Sequence, residues 1–129
     1  MRWPVFSASE VASFLSCHHI LTLDRAQAAE QIKRPFFHDP GIELLRELGV
    51  QHERAYLRHL VDTQGLEIAE IPTNASRAEA VALTADAIRR GIGAIYQAAF
   101  QIGPWHGRAD FLLRVQKPST IGPWSYEAA

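Results

Sequence analysis

One cysteine, Cys17, stands in a chain of 129 residues. That count excludes an internal disulfide and an all-cysteine metal site built within the chain. Lysine is nearly as scarce: Lys33 and Lys117 are the only two, against eleven arginines. Neither sign of charge is in excess, since thirteen basic and fourteen acidic residues leave a net charge of −1. Binding to nucleic acid would therefore depend on a local patch rather than on the whole surface. No run of apolar residues approaches the length of a membrane span. The N-terminus has no charged start followed by an apolar run and a cleavage site, so a cytoplasmic protein is the expectation.

What is present suits one ordinary globular domain. The hydrophobic fraction is 47%, which disfavours global disorder. A chain of this length can bury a core without covalent staples. "SASEVASFLSC" opens with Ser7 and Glu10 at the spacing of a capping box. "ILTLDRAQAAEQ" predicts a second helix, broken by the prolines of "KRPFFHDP". Asp39-Pro40 marks a strong helix start, and the helix after it could run to Gly65. "LEIAEIP" predicts a short strand. "SRAEAVALTADAIRRG" predicts a helix capped by Ser76 and stopped by Gly91. "AIYQAAFQI" and "WHGRADFLLRV" predict two strands joined at Gly103-Pro104, and "WSYEAA" begins another. Helices, a strand, a helix and a run of strands imply an α+β or mixed α/β sheet. The final strand is short, so the domain of residues 1–129 reads as incomplete, with an open sheet edge through which a homodimer could form.

Asp110 interrupts an apolar strand, and a carboxylate there needs a partner. By strand alternation, Ala109, Phe111, Leu113 and Val115 share a core face, while His106, Arg108, Asp110, Leu112 and Arg114 share the other. A salt-bridged rim, with Arg108 or Arg114 answering Asp110, is the plain expectation. A ligand for a hard cation is the functional one. In the long helix, Leu45, Leu48, Gly49, His52, Tyr56 and Leu60 form one stripe. His52 is then a core histidine or a ligand, and Glu53 lies at the stripe's edge. Mid-helix Gly49 costs roughly 1 kcal/mol relative to Ala, which close approach of another backbone would offset; otherwise it is a C-cap between two shorter helices. Cys17, His18 and His19 point in different directions on a helix. A buried cysteine beside two helix-end histidines is the expectation. Trp3, Trp105 and Trp124 lie near proline or glycine and suit core edges better than base stacking.

The ordered set "SASEVASFLSC", "LGVQHERAYL" and "GRADFLLRV", followed by a strand at "WSYE", resembles the RecB-like nucleases of the PD-(D/E)XK superfamily. CRISPR-associated RecB-like exonucleases are more distant relatives. The resemblance implies a restriction-endonuclease-like fold and metal-dependent hydrolysis of DNA phosphodiester bonds with Mg²⁺ or Mn²⁺. It places the family's helix motif on Gly49 and His52, with Glu53 following, and its strand motif on Gly107, Arg108 and Asp110. His52 and Asp110 would then be catalytic metal ligands, and they are expected to face each other across the helix–sheet interface. Arg108 and Arg114 would contact DNA.

The family's cluster-ligating cysteine falls on Cys17, but no later cysteine follows, so an iron–sulfur cluster is not expected. The next family motif, Asp/Glu-x-Lys, would fall near Tyr126-Glu127-Ala128-Ala129. If Glu127 is the acid and third metal ligand, Ala129 holds the lysine position. The chain thus reads as the N-terminal part of such a nuclease, truncated before that motif, inactive by itself, with a helicase-like region or partner elsewhere. The alternative is a non-catalytic nucleic-acid-binding or interaction domain with the same fold.

Overall fold

The computed structural model describes residues 5–129; Trp3 lies outside them. Four helices surround a mixed five-stranded sheet. The elements run β1 (Phe6–Ser7), α1 (Ala8–Ser16), α2 (His18–Ala28), α3 (Pro40–Asp62), β2 (Ile68–Glu70), α4 (Arg77–Arg90), β3 (Ala94–Ile102), β4 (Trp105–Val115) and β5 (Ser125–Ala128). The class is α+β with strands in both orientations, as composition and pattern imply. Among the described residues no helix is long and apolar enough to cross a membrane.

Local chemistry explains most boundaries. The Ser7 hydroxyl accepts from the Glu10 N–H while the Glu10 carboxylate accepts from the Ser7 N–H, closing the capping box of α1. The Asp39 carboxylate accepts from the Gly41 and Ile42 amides ahead of Pro40, at the start of α3. Ser76 caps α4, and Gly91 ends it with φ 68°, a left-handed geometry that glycine adopts without steric cost. Cys17 separates α1 from α2 as an extended residue and is exposed, so the buried cysteine anticipated from sequence is not found. Cysteine's usual preference for burial is not met there, because the extended residue links two helices that bury none of their residues. The two-residue strand β1 was not legible at all.

The centre of the sheet is the antiparallel hairpin of β3 and β4. β2 joins β3 in parallel through the α4 crossover, as parallel neighbours require. On the far side of β4, β1 pairs with Trp105 and His106, and β5 pairs with Leu112 to Val115. Between them Gly107 to Asp110 have no strand partner on that edge among the described residues. The open stretch thus lies inside the edge, bracketed by two short strands.

Two cores form, one on each face. On one, Leu60 of α3 is fully buried with Ala94 and Phe111, joined by Tyr56, Leu57 and Tyr96. Tyr56 meets Phe111 edge to face, with centroids 4.9 Å apart, a favoured aromatic geometry. On the other, Ala80 and Ala87 of α4 pack with Ile71, Ile92, Ile95, Ala98, Ala99 and Leu112. Thr84 is the one buried polar residue among the described ones. Its hydroxyl donates to the Ala80 carbonyl at 2.8 Å and accepts from the Ala99 N–H at 2.9 Å.

The last contact gives a test of the α4–sheet core. Thr84→Val keeps the shape and removes the acceptor, leaving a buried N–H unpaired, so it should cost about 1–3 kcal/mol. Thr84→Ser should cost less. Urea titration of the two variants measures the difference.

Candidate functional site

The pleat of the sheet breaks where Asp110 lies. Tyr96 pairs with Phe111 and Ala98 with Ala109, but Gln97 and Asp110, which stand opposite each other between them, form no ladder pair. Gln97 has φ 59°, a left-handed conformation that costs a side-chain-bearing residue roughly 1–2 kcal/mol. The break changes which face the strands present. Tyr96 and Phe111 belong to the α3 core, whereas Ala98 and Ala109, two residues along each strand, pack with the α4 core. Strict alternation would have kept them on one face. Alternation alone places Ala109 with Phe111, and the positive φ at Gln97 that separates them carries no signature in a strand pattern.

Asp110 is exposed, and the Gln97 amide donates to its Oδ1 at 3.1 Å. No arginine answers it: the ion pairs among the described residues do not include Asp110. The expected salt-bridged rim is therefore replaced by a neutral amide contact. Arg108 turns to backbone instead, donating to the carbonyls of Gln97 at 3.0 Å and Pro72 at 3.3 Å. Arg114 donates to the Gly91 carbonyl at 2.5 Å. With the Trp124 indole N–H on the Ile88 carbonyl and the Tyr126 hydroxyl on the Ile92 carbonyl, it satisfies the end of α4, where carbonyls lack helical partners.

A second carboxylate is tied to the same turn of β3. The Tyr96 hydroxyl donates to Glu53 Oε2 at 2.7 Å. Adjacent residues of β3 thus hold Glu53 of α3 and Asp110 of β4. This corrects the helix stripe. The residues of α3 that meet the sheet are Glu53, Tyr56, Leu57 and Leu60, and His52 is exposed. The apolar pattern pointed one residue too early because Leu45 and Leu48 were counted as inward; both are at least half exposed. An added Cβ on Gly49 would meet nothing within 4 Å, so among the described residues no other backbone approaches it. The helix also runs through it unbroken, so it is no C-cap.

The structure brings some predicted residues together and leaves others apart. His52 lies in a groove along α3 beside Leu48, Gln51 and Arg58, without Asp110. Glu127 is exposed on β5, opposite Leu113. Among the described residues no three His, Cys, Asp or Glu side chains gather as a metal site. His18 stacks on Phe14 at 4.2 Å, and Trp105 packs beside Phe6 at 5.3 Å.

A feature missed in the sequence adjoins Asp110's strand. Arg77, His106 and Arg108 line a cavity of about 230 Å³ with Phe100 at the N-terminus of α4. Arg77 is the first residue of α4, where the helix dipole favours anions. Only the fold brings Arg77 beside a strand some thirty residues later, so sequence spacing gave no signal. Among family models, curated proteins and solved structures, none matches the chain.

Two phenols report on these contacts. Accepting the Tyr96 proton, the Glu53 carboxylate raises the Tyr96 pKa above its ordinary value, and burial adds to it. Burial raises that of Tyr126, against a smaller lowering by Arg114. Both stay protonated to higher pH folded than unfolded. Their stabilisation is complete below the unfolded tyrosine value of about 10 and is lost as pH rises through the folded values. Tyr96→Phe should cost about 1 kcal/mol at neutral pH. Tyr96→Phe and Tyr126→Phe should each flatten the alkaline fall in stability, followed by denaturant titration at several pH values.

Proposed function

We propose that the chain is a nuclease-type, PD-(D/E)XK-like domain acting on DNA phosphodiesters, with Asp110 as its central acid. The observation that supports this reading most is the position of Asp110 against the strained residue Gln97 of β3, on the strand whose Arg108 lines the cationic cavity. Strained backbone held by surrounding packing is characteristic of functional positions. One Asp110 oxygen is held by Gln97 while the side chain stays open to solvent. The cavity supplies what a phosphate needs: two guanidinium groups, an imidazole and a helix N-terminus.

The residues present do not fit a complete divalent-metal site. Asp110 is held by Gln97, Glu53 is engaged by Tyr96, and His52 and Glu127 lie apart from Asp110. Hydrolysis therefore requires ligands that these residues do not assemble. What the chain's own side chains do is bind and orient. Arg77, His106 and Arg108 take the phosphate, and Gln97 fixes the direction of the Asp110 carboxylate. The backbone contacts of Arg108 hold its guanidinium at the cavity wall, so the phosphate meets a pre-positioned donor.

The 129-residue chain should bind single- or double-stranded DNA weakly and with strong salt dependence. With Mg²⁺ or Mn²⁺ it should not cleave above background. Arg77→Ala and Arg108→Ala should each weaken binding and reduce the salt slope by roughly one phosphate contact. Asp110→Asn should leave binding equal or stronger. Fluorescence anisotropy at several salt concentrations, with a gel assay of labelled DNA, checks these outcomes. Binding that ignores both arginine variants would remove the cavity as the phosphate site. Metal-dependent cleavage by the chain that survives Asp110→Asn would remove Asp110 as its central acid.

A further inference from the structure

The outward side of α3 is long, carries leucines in its first half, and is uncovered among the described residues. Its sheet-facing residues are Glu53, Tyr56, Leu57 and Leu60. At about 100° per residue, the opposite side carries Leu44, Leu48, Gln51, Ala55 and Arg58, spaced four, three, four and three apart. That alternation is the seam of a paired helix. Leu44 is 56% exposed, Leu45 69% and Leu48 50%, and Gln51, Ala55 and Arg58 are exposed as well. Nothing else among the described residues covers this side.

Charge says what does. Along one border of the seam run Glu43, Glu47, Arg54 and Arg58, in the order minus, minus, plus, plus. The four positions are symmetric about the point between Val50 and Gln51, and the sign inverts across it. Among the described residues Glu47, Arg54 and Arg58 form no ion pair, and Glu43 meets only His38. A helix with that order complements itself when a second copy lies antiparallel to it, because every acid then meets a base.

We propose that the outward face of α3 pairs with the same face of a second copy of this chain, antiparallel, with Glu47 against Arg54 of the partner subunit and Glu43 near Arg58 of the partner subunit. Leu44 packs on Ala55 of the partner subunit and Leu48 on Gln51 of the partner subunit, and the two-fold repeats each contact. The small Ala55 leaves room for a leucine from across the seam. The polar Gln51 pair near the axis fixes the register, as a buried amide does in coiled coils. The interface is isologous, so it closes at two copies. A DNA duplex on the same face is disfavoured, because Glu43 and Glu47 would face its phosphates. This surface is separate from Asp110 and the cationic cavity, so it stands or falls independently of the nuclease reading.

Sedimentation equilibrium of the 129-residue chain across the micromolar range tests the pairing. The wild type should be a dimer. Glu47→Arg and Arg54→Glu each turn two symmetry-related attractions into repulsions, so each should weaken the dimer by roughly tenfold or more. The Glu47→Arg/Arg54→Glu double variant should recover most of the loss. Leu48→Asp should give a monomer. All three positions are exposed, and circular dichroism with urea titration should show each variant folded as the wild type is. A monomeric wild type overturns the proposal, as does a dimer indifferent to both single charge reversals. Salt-sensitive DNA binding that falls with Arg54→Glu and rises with Glu47→Arg, in a monomeric wild type, would assign the face to nucleic acid instead.

Discussion

Everything ordered in this chain rests on the pairing of β3 with β4. β2 also reaches both cores, through Ile68 and Ala69, but among the described residues it is held in the sheet by β3 alone. The hairpin supplies Ala94, Tyr96 and Phe111 to the α3 side and Ile95, Ala98, Ala99 and Leu112 to the α4 side. β2 attaches only to β3, and β1 and β5 attach only to β4. α1 and α2 bury no residue at all and reach the sheet through β1. Arg25 of α2 lies over the Phe6 ring at 5.2 Å, a cation–π contact from helix to strand. A defect in the hairpin would therefore be felt everywhere, which makes the break at Gln97 and Asp110 informative. The fold tolerates strain at its most connected point.

That tolerance has a mechanical basis. A strand pair that changes face midway can serve two layers unequally along its length. From Ala94 to Tyr96 the sheet is covered by helices on both sides; from Ala98 onward its packing belongs to the α4 core. The change of face leaves one pair of residues in neither core. A large apolar residue there would be exposed, whereas glutamine and aspartate can bond each other and meet water. The polar pair is thus a structural consequence of the break as well as a chemical opportunity. Asp110→Asn separates the two where Asp110→Ala does not: it keeps an acceptor for Gln97 and removes only the charge.

The sequence was most legible where a single local force decides. The limits of β3 and β4 follow from their apolar pattern and from Gly103-Pro104 between them, and the structure has the same residues, 94–102 and 105–115. The caps at Ser7, Asp39, Ser76 and Gly91 follow from side-chain and backbone chemistry within three residues. Legibility failed where two forces gave the same pattern. Leu45 and Leu48 look inward by hydrophobicity, but the sheet begins beneath α3 only near Glu53, so their rotation about the helix was misread by one residue. The stripe had Tyr56 and Leu60 right and took His52 where Glu53 belongs. The partners of Asp110 were misread for a related reason. Arg108 and Arg114 looked free to pair with it, but backbone carbonyls at Pro72, Gln97 and Gly91 claim them, and which carbonyls the fold leaves open has no signature in sequence.

The same overhang that misled the stripe explains why α3 is so long. Its 23 residues span about 35 Å at 1.5 Å per residue, while only the segment from Glu53 to Leu60 meets the sheet. A helix needs no such length to cover Phe111. Isolated helical turns are weak in water without tertiary contacts, and mid-helix Gly49 weakens these further. The first half of α3 is thus an element whose stability the other described residues do not supply. Leucines at half exposure or more on such an element gain most from being covered by something else. A self-complementary border of charge restricts what that cover can be, because a partner must present bases to Glu43 and Glu47 and acids to Arg54 and Arg58 in the reverse order. The chain's own α3 meets that requirement, and it does so with the side of the helix that the sheet does not use.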